Sequence, residues 1–213
     1  MTPDPSPESE AESEAESDAA YQTRDVQHFE RWSRTYDESW MQSRFFTRIH
    51  SAALDLAAAL PTPASVLDVG CGTGRLLRAV AARWPHAQLI GVDPAEGMVE
   101  AARRLTSSAT IHRGFAESLP VPDGSVELAL STMSAHHWRD QAAGLRELAR
   151  VVRPGGHFIL VDFALPPALA WLNRHGGSLP AAARQRVFTA AGLRIERQRN
   201  VVYPFILATV AAR

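Results

Sequence analysis

Three groups of residues in this 213-residue chain have the types and spacing to do chemistry. A glycine-rich loop, Gly70-Cys71-Gly72-Thr73-Gly74, follows the run Val66-Leu67-Asp68-Val69. Two acids, Asp68 and Asp93, each sit in or at the end of an apolar run. A histidine pair lies within Ser134-Ala135-His136-His137-Trp138. A glycine turn between a strand and a helix lets the backbone approach a ligand closely. The spacing here is G-x-G-x-G. The dinucleotide fingerprint G-x-G-x-x-G needs glycine at position 75, which is Arg. The phosphate-binding loop needs a Lys, and all 22 basic residues are Arg. The loop therefore suits a nucleoside-type ligand with no phosphate to cradle. Asp68, two residues before Gly70, favours a cationic ligand and would repel a pyrophosphate.

Asp93 can accept hydrogen bonds from both hydroxyls of a ribose. Asp93-Pro94 also reads as a helix N-cap with Pro in the first turn, and both readings can hold together. His136 and His137 follow the fourth predicted strand, where open parallel sheets keep their ligands. A histidine there can titrate near neutrality and act as a base; the structural alternative is packing under Trp138. In an extended loop adjacent side chains alternate, so His136 is expected to face the ligand and His137 to point elsewhere. The remaining histidines, His50 among them, are scattered and read as structural or exposed. No set of His, Cys, Asp or Glu has zinc-ligand spacing, so no metal is expected. Cys71, the sole cysteine, reads as a small packing residue.

The elements that must position these residues alternate along the chain. Strands are predicted over 65–69, 88–92, 109–113, 126–131, 157–163, 193–202 and 205–212. Helices are predicted after the glycine loop, over 95–105, around Leu145, Leu148 and Val152, and over 181–191. Alternation of this kind predicts an α/β, Rossmann-like, doubly wound and mostly parallel seven-stranded sheet with helices on both faces. The last two strands follow closely and predict an antiparallel hairpin at the edge. Two amphipathic stretches come first. Phe29, Trp32, Tyr36 and Trp40 share one helix face, as do Ile49, Ala53, Leu56 and Leu60.

Residues 1–20 carry seven acids and no large apolar residue beyond the initial Met, and read as a disordered leader. Residues 21–213 read as a single domain, with docking or lid helices over 21–62 and the core over 63–213. The chain's net charge is −1, but without the leader's acids the body carries about +6. That suits an anionic small substrate, and no Arg cluster points to nucleic acid. With no apolar run of membrane-spanning length, no signal peptide and one cysteine, a cytoplasmic setting is expected.

Four motifs in order, the Asp68–Gly74 loop, Asp93, RGFAESLPVPDGSVELAL (113–130) and SAHHW with LARVVRPGGHFILVDF (134–138, 148–163), resemble the class I S-adenosylmethionine-dependent methyltransferases. The order is similar to the small-molecule branch that includes ubiquinone and menaquinone C-methyltransferases. FERWSRTYDESW (29–40) is similar to that branch's N-terminal helix. The resemblance implies a methyl donor, S-adenosyl-L-methionine, and a small-molecule acceptor reacting through O, N or C. It implies that Gly70, Cys71, Gly72 and Gly74 pass close to the methionine part and that Asp68 reaches its amino group. Asp93 would hold the ribose, Gly97 and Met98 would flank the adenine, and Pro94 would belong to the cofactor-binding set. Ala116 would offer its N–H to the adenine edge, Ser131 would face cofactor and acceptor, and Tyr36 would cover the site. The family usually has Asp where this chain has Phe115. Either that ring packs on adenine or Glu117 takes over as acceptor. A binding protein without catalysis, acting as a sensor or partner subunit, is the alternative from another class.

Overall fold

The computed structural model describes residues 26–27, 40–164 and 181–213. Helix α1 (Trp40–Ala57) precedes β1 (Ser65–Val69), α2 (Arg75–Arg83), β2 (Gln88–Asp93), α3 (Glu96–Leu105) and β3 (Ala109–Arg113). Then come β4 (Val126–Thr132), a 3-10 turn (Ala135–His137), α4 (Gln141–Val151), β5 (Val152–Phe163), α5 (Ala181–Ala190), β6 (Arg194–Asn200) and β7 (Ile206–Ala212). The seven strands form one sheet in the order β3-β2-β1-β4-β5-β7-β6. Strands β1 to β5 pair in parallel, and β7 runs antiparallel between β5 and β6. The edge hairpin expected from the sequence is present, with β6 as its outer strand.

The sheet is covered on both faces, and the pleat sorts neighbours to opposite sides. Val66, Leu128, Leu130, Ile159 and Val161 pack on the face that carries α1, α2 and α3. Leu67, Val69, Ala129, Phe158 and Leu160 pack on the other, against Leu145 and Leu148 of α4 and Phe188 of α5. Burial on both faces explains why all five residues of β1 are buried. Ile49, Ala53 and Leu56 of α1 are buried as their helical spacing requires, while Leu60 lies past the helix end.

One boundary differs from the sequence pattern. Pro154-Gly155-Gly156 lies inside β5 rather than before it. Val126 pairs with Val152 and Leu128 with His157, so a bulge absorbs the extra residues. Val152, expected on the helix, is the C-cap of α4 and opens β5. The acidic leader, Phe29, Trp32, Tyr36 and residues 165–180 lie outside the described residues.

Candidate functional site

The carboxyl ends of β1, β2 and β4 open into a cleft of about 1010 Å³, its mouth included. Its floor is the glycine loop. Gly70, Gly72 and Gly74 all take left-handed backbone, with φ of 77°, 52° and 77°. The loop wraps the end of β2 through bonds from the N–H groups of Gly70 and Cys71 to the Val92 carbonyl, at 2.8 and 3.1 Å. At Gly70 the close approach is sideways: a Cβ there would sit 1.9 Å from Ser134 Oγ. That hydroxyl accepts a bond from Trp138 Nε1 at 3.2 Å, so the loop and the segment after β4 lock together over the floor.

Asp93 ties the floor to the wall. Its Oδ2 accepts the Gly72 N–H at 2.8 Å, and its Oδ1 accepts the Ala95 N–H at 3.0 Å. The capping expected of Asp93 is thus a turn at Ala95, the residue that is itself the N-cap of α3. Asp68 is buried in the middle of the floor, 1% exposed. Its Oδ1 has no hydrogen-bond partner among the described residues. Burial first, and then the negative charge of Asp93, push the Asp68 carboxyl up to about 8.

Of the residues singled out in the sequence, the cleft brings together Asp68, Gly70, Cys71, Gly72, Asp93, Pro94, Met98, Ala116, Glu117 and His137. Gly74 and Ser131 do not line it, and Tyr36 is outside the described residues. Phe115 and Glu117, the two candidates for the family's missing Asp, are both on the cleft wall. Glu117 also accepts the Asp140 N–H at 3.1 Å.

The two histidines exchange the places expected of them. His137 lines the cleft, and His136 does not. The expectation assumed an extended loop, but residues 135–137 form a 3-10 turn closed by the His137 N–H on the Ser134 carbonyl at 2.9 Å. Side chains then step round by about a third of a turn instead of alternating. His136 points away, onto Asp162 at the end of β5. Its Nδ1 lies 2.7 Å from Oδ1, and its backbone N–H donates to Oδ2 at 3.2 Å. The His136 and His137 rings lie 4.0 Å apart.

Sequence reasoning missed several cleft residues. His50 and Phe46 lie four apart on α1, and both reach the wall. Burial, with Arg75 and Arg78 adding to it, pushes His50 down to about 4, so it is neutral at pH 7. The signal was available: His50 adjoins the Ile49–Ala53–Leu56 stripe, on the side that faces the glycine loop. Trp138 reaches the cleft because Gly144 leaves it room; a Cβ at Gly144 would lie 2.6 Å from the indole. Met133, also in the wall, holds a left-handed φ of 52° without being glycine, and such strain gathers at functional sites.

Among the described residues, no three His, Cys, Asp or Glu side chains stand together as a metal site, and no helix is long and apolar enough to cross a membrane.

Residues 67–160 match the model of a methyltransferase domain. A malonyl-[acyl-carrier protein] O-methyltransferase of Dechloromonas aromatica is 35% identical over 155 residues, covering 72% of this chain and 55% of the relative. A demethylmenaquinone methyltransferase of Thermus thermophilus is 34% identical over 119 residues, 54% of each chain. The chain thus spans about half the length of these curated relatives. The crystal structure of the YcgJ protein of Bacillus subtilis superposes with a TM-score of 0.63 at 30% identity, covering 71% of this chain and 72% of that one. By the matched domain and this superposition, the chain belongs to the S-adenosylmethionine-dependent methyltransferases.

Proposed function

We propose that the protein moves a methyl group from S-adenosylmethionine to a small molecule. The observation that carries this reading is Asp68, a buried carboxyl group with an unpartnered oxygen on the floor of a glycine-lined cleft. A buried acceptor without a donor is costly, and the ammonium of the cofactor's methionine part is the donor it lacks. In this reading Asp68 takes that ammonium. Asp93 spends one bond from each oxygen on the Gly72 and Ala95 N–H groups. A carboxylate offers about four acceptor positions, and in this reading the ribose hydroxyls share them with these N–H groups. Pro94 and Met98 flank the adenine, and the Ala116 N–H with Glu117 or Phe115 meets its edge.

When bound, the cofactor supplies an electrophilic methyl on a sulfonium whose departure leaves a neutral thioether. The protein's task is then mostly alignment, worth up to roughly 7–11 kcal/mol in well-held reactions. Ser134 and Trp138 hold the loop that closes over the floor. His137, on the cleft wall, takes the proton from a hydroxyl or amine acceptor. His136, fixed by Asp162, packs behind it and sets its position. A carbon acceptor that is already acidic would not need this base. The named relatives are methyltransferases of malonyl-[acyl-carrier protein] and of demethylmenaquinone.

Calorimetry tests the cofactor assignment. S-adenosylmethionine is expected to bind in the micromolar range, and NADH not at all; the reverse would sink the reading. Conversion to S-adenosylhomocysteine in the presence of a metabolite extract, followed by mass detection, tests catalysis. Binding without turnover on any acceptor would make the protein a sensor or partner subunit instead. With a hydroxyl acceptor, His137→Ala is expected to lower turnover by roughly 10²–10⁴ while cofactor affinity holds. His136→Ala should lower it less.

A further inference from the structure

Neighbouring residues on a helix point about 100° apart, so Phe45 and Phe46 of α1 look in different directions. Phe46 lines the cleft. Phe45 turns to the connection between β6 and β7, where its ring stacks on Tyr203 at 5.9 Å and 20°. Tyr203 stacks in turn on Phe205 at 6.3 Å and 9°, and Phe45 meets Phe46 edge-on at 5.4 Å. Ile206 pairs with Phe163, the last residue of β5, so this connection stands at the same end of the sheet as the cleft. The four rings therefore make one row from the cleft wall to the surface.

The outer end of the row is open. Tyr203 is 37% exposed, Phe205 45% and Val202 37%, three of the five large apolar residues so exposed among those described. Exposed apolar surface gathered in one place marks a binding site more often than scattered residues do. The backbone holds it there under strain. Val202 is β-branched and has a φ of 63°, a conformation such residues avoid. Outside glycine, the other described residue with a left-handed φ is Met133 in the cleft wall. Strain of this kind persists where the surroundings over-determine it, and it clusters at ligand clamps.

Tyr203 and Phe205, the exposed end of a run of three near-parallel rings, leave aromatic surface open. A conjugated ring system laid on it gains offset stacking besides the burial of apolar area, which an aliphatic chain does not. The geometry points to Phe45, Phe46, Tyr203 and Phe205 as the acceptor subsite, built for an acceptor whose body is a flat, conjugated ring system. This rests on the reading of the cleft as a methyl-transfer site.

The test is a calorimetric titration of 2-naphthol and of 1-decanol into the full chain saturated with S-adenosylhomocysteine. Naphthol is expected to bind more tightly than decanol. Tyr203→Ala combined with Phe205→Ala should weaken naphthol about ten-fold, and Tyr203→Leu, which keeps apolar bulk without the ring, about three-fold. Leu105→Ser alters another exposed apolar residue, 49% exposed and outside the cleft, and should change nothing. The subsite is overturned if the double variant binds naphthol as the unaltered chain does, if Leu105→Ser loses as much, or if decanol binds as tightly as naphthol. S-adenosylhomocysteine affinity, read in the same samples, separates the two levels. A chain that does not bind it overturns methyl transfer and the subsite with it. Normal binding with indifference to the row overturns the subsite alone, and normal binding by the double variant shows that it is folded.

Discussion

Two aspartates near the carboxyl ends of central strands make a controlled comparison. Asp68 on β1 is 1% exposed, and Asp162 on β5 is 2%. Asp162 is fully engaged: it accepts the His136 backbone N–H, the His136 ring at Nδ1 and the Phe163 N–H at 2.7 Å. The Arg184 guanidinium lies just behind, donating to the Asp162 and Phe163 carbonyls at 3.2 and 2.5 Å. Burial alone would raise the Asp162 carboxyl. His136, Arg184 and the Phe163 N–H together outweigh burial and hold it below the usual carboxylate range. Asp68 has the same burial, an acid for a neighbour and an oxygen with no donor, and its carboxyl rises to about 8. One site is finished by the protein. The other keeps an oxygen for which the described residues supply no donor, and under the proposed function that oxygen is the one a cation would meet.

The largest expected effect breaks the finished site. Asp162→Ala would leave Arg184, buried at 1% exposed, without the negative charge of Asp162 that favours its cationic form. Removing one partner of such a pair costs roughly 3–5 kcal/mol. Urea denaturation at pH 7 measures it. A loss below about 1 kcal/mol would mean that the Arg184 bonds to the carbonyls and to Thr209 carry the region alone. The pH dependence follows from the direction of the shift. The stabilisation by Asp162 is present above the ordinary carboxylate range and disappears only as pH falls through its lowered value.

Asp68→Asn should do the opposite to stability and damage binding instead. From about pH 4 to about pH 8, folded Asp68 keeps a proton that the unfolded chain has released, so the free protein loses stability as pH rises, by at most about 1.4 kcal/mol per unit. The Asn variant should lose that slope and be the more stable protein at pH 8. Its S-adenosylmethionine affinity should fall by about 1.5–3 kcal/mol, the range for a hydrogen bond to a charged group. In the unaltered chain, affinity should climb with pH and level off above about 8, as the ammonium meets an ionised carboxylate. An affinity independent of pH between 6 and 8 would show that Asp68 does not meet the ammonium directly.

The unequal legibility of these sites in the sequence has a physical basis. Strands β1, β2 and β4 were readable because a sheet buried on both faces writes near-continuous apolar runs between turn residues. The glycine loop was readable because left-handed backbone restricts the residue type. Asp68 and Asp93 were readable from their positions at strand ends. The Asp162–Arg184 site was not. Arg184 lies in Ala-Arg-Gln-Arg-Val-Phe, which reads as a solvated helix face. Its partners are carbonyls of β5 and β7, which come together only in the folded sheet. The exchange of His136 and His137 has a similar cause. Two backbone bonds, from the His137 and Trp138 N–H groups to the Ser134 and Ala135 carbonyls, close the 3-10 turn that decides which ring faces the cleft, and residue types do not record them. Gly144 could have been noticed, since a glycine inside a helix costs about 1 kcal/mol against Ala and needs a packing reason; here the reason is Trp138.

The smallest effect comes from a second orphan. Ser131 Oγ is fully buried and, like Asp68 Oδ1, has no hydrogen-bond partner among the described residues. The family resemblance implied that Ser131 faces cofactor and acceptor, yet it does not line the cleft. Its register explains this: Ser131 pairs with Leu160 in the middle of the sheet, and Thr132 is the β4 residue that reaches the cleft wall. A hydroxyl left unpaired in the interior destabilises, and replacing it with a methyl group removes that penalty at little loss of volume. Ser131→Ala should therefore raise stability, by no more than about 1 kcal/mol, and leave S-adenosylmethionine affinity and turnover unchanged. Thr132→Ala, at the wall, should disturb binding or turnover instead. If Ser131→Ala loses affinity or rate, its hydroxyl meets a bound ligand, and the two orphans are the same kind of unfinished site. If it only gains stability, an orphan oxygen marks a ligand here when it belongs to an ionisable group on the cleft floor, as Asp68 does, and not when it is a hydroxyl walled into the sheet.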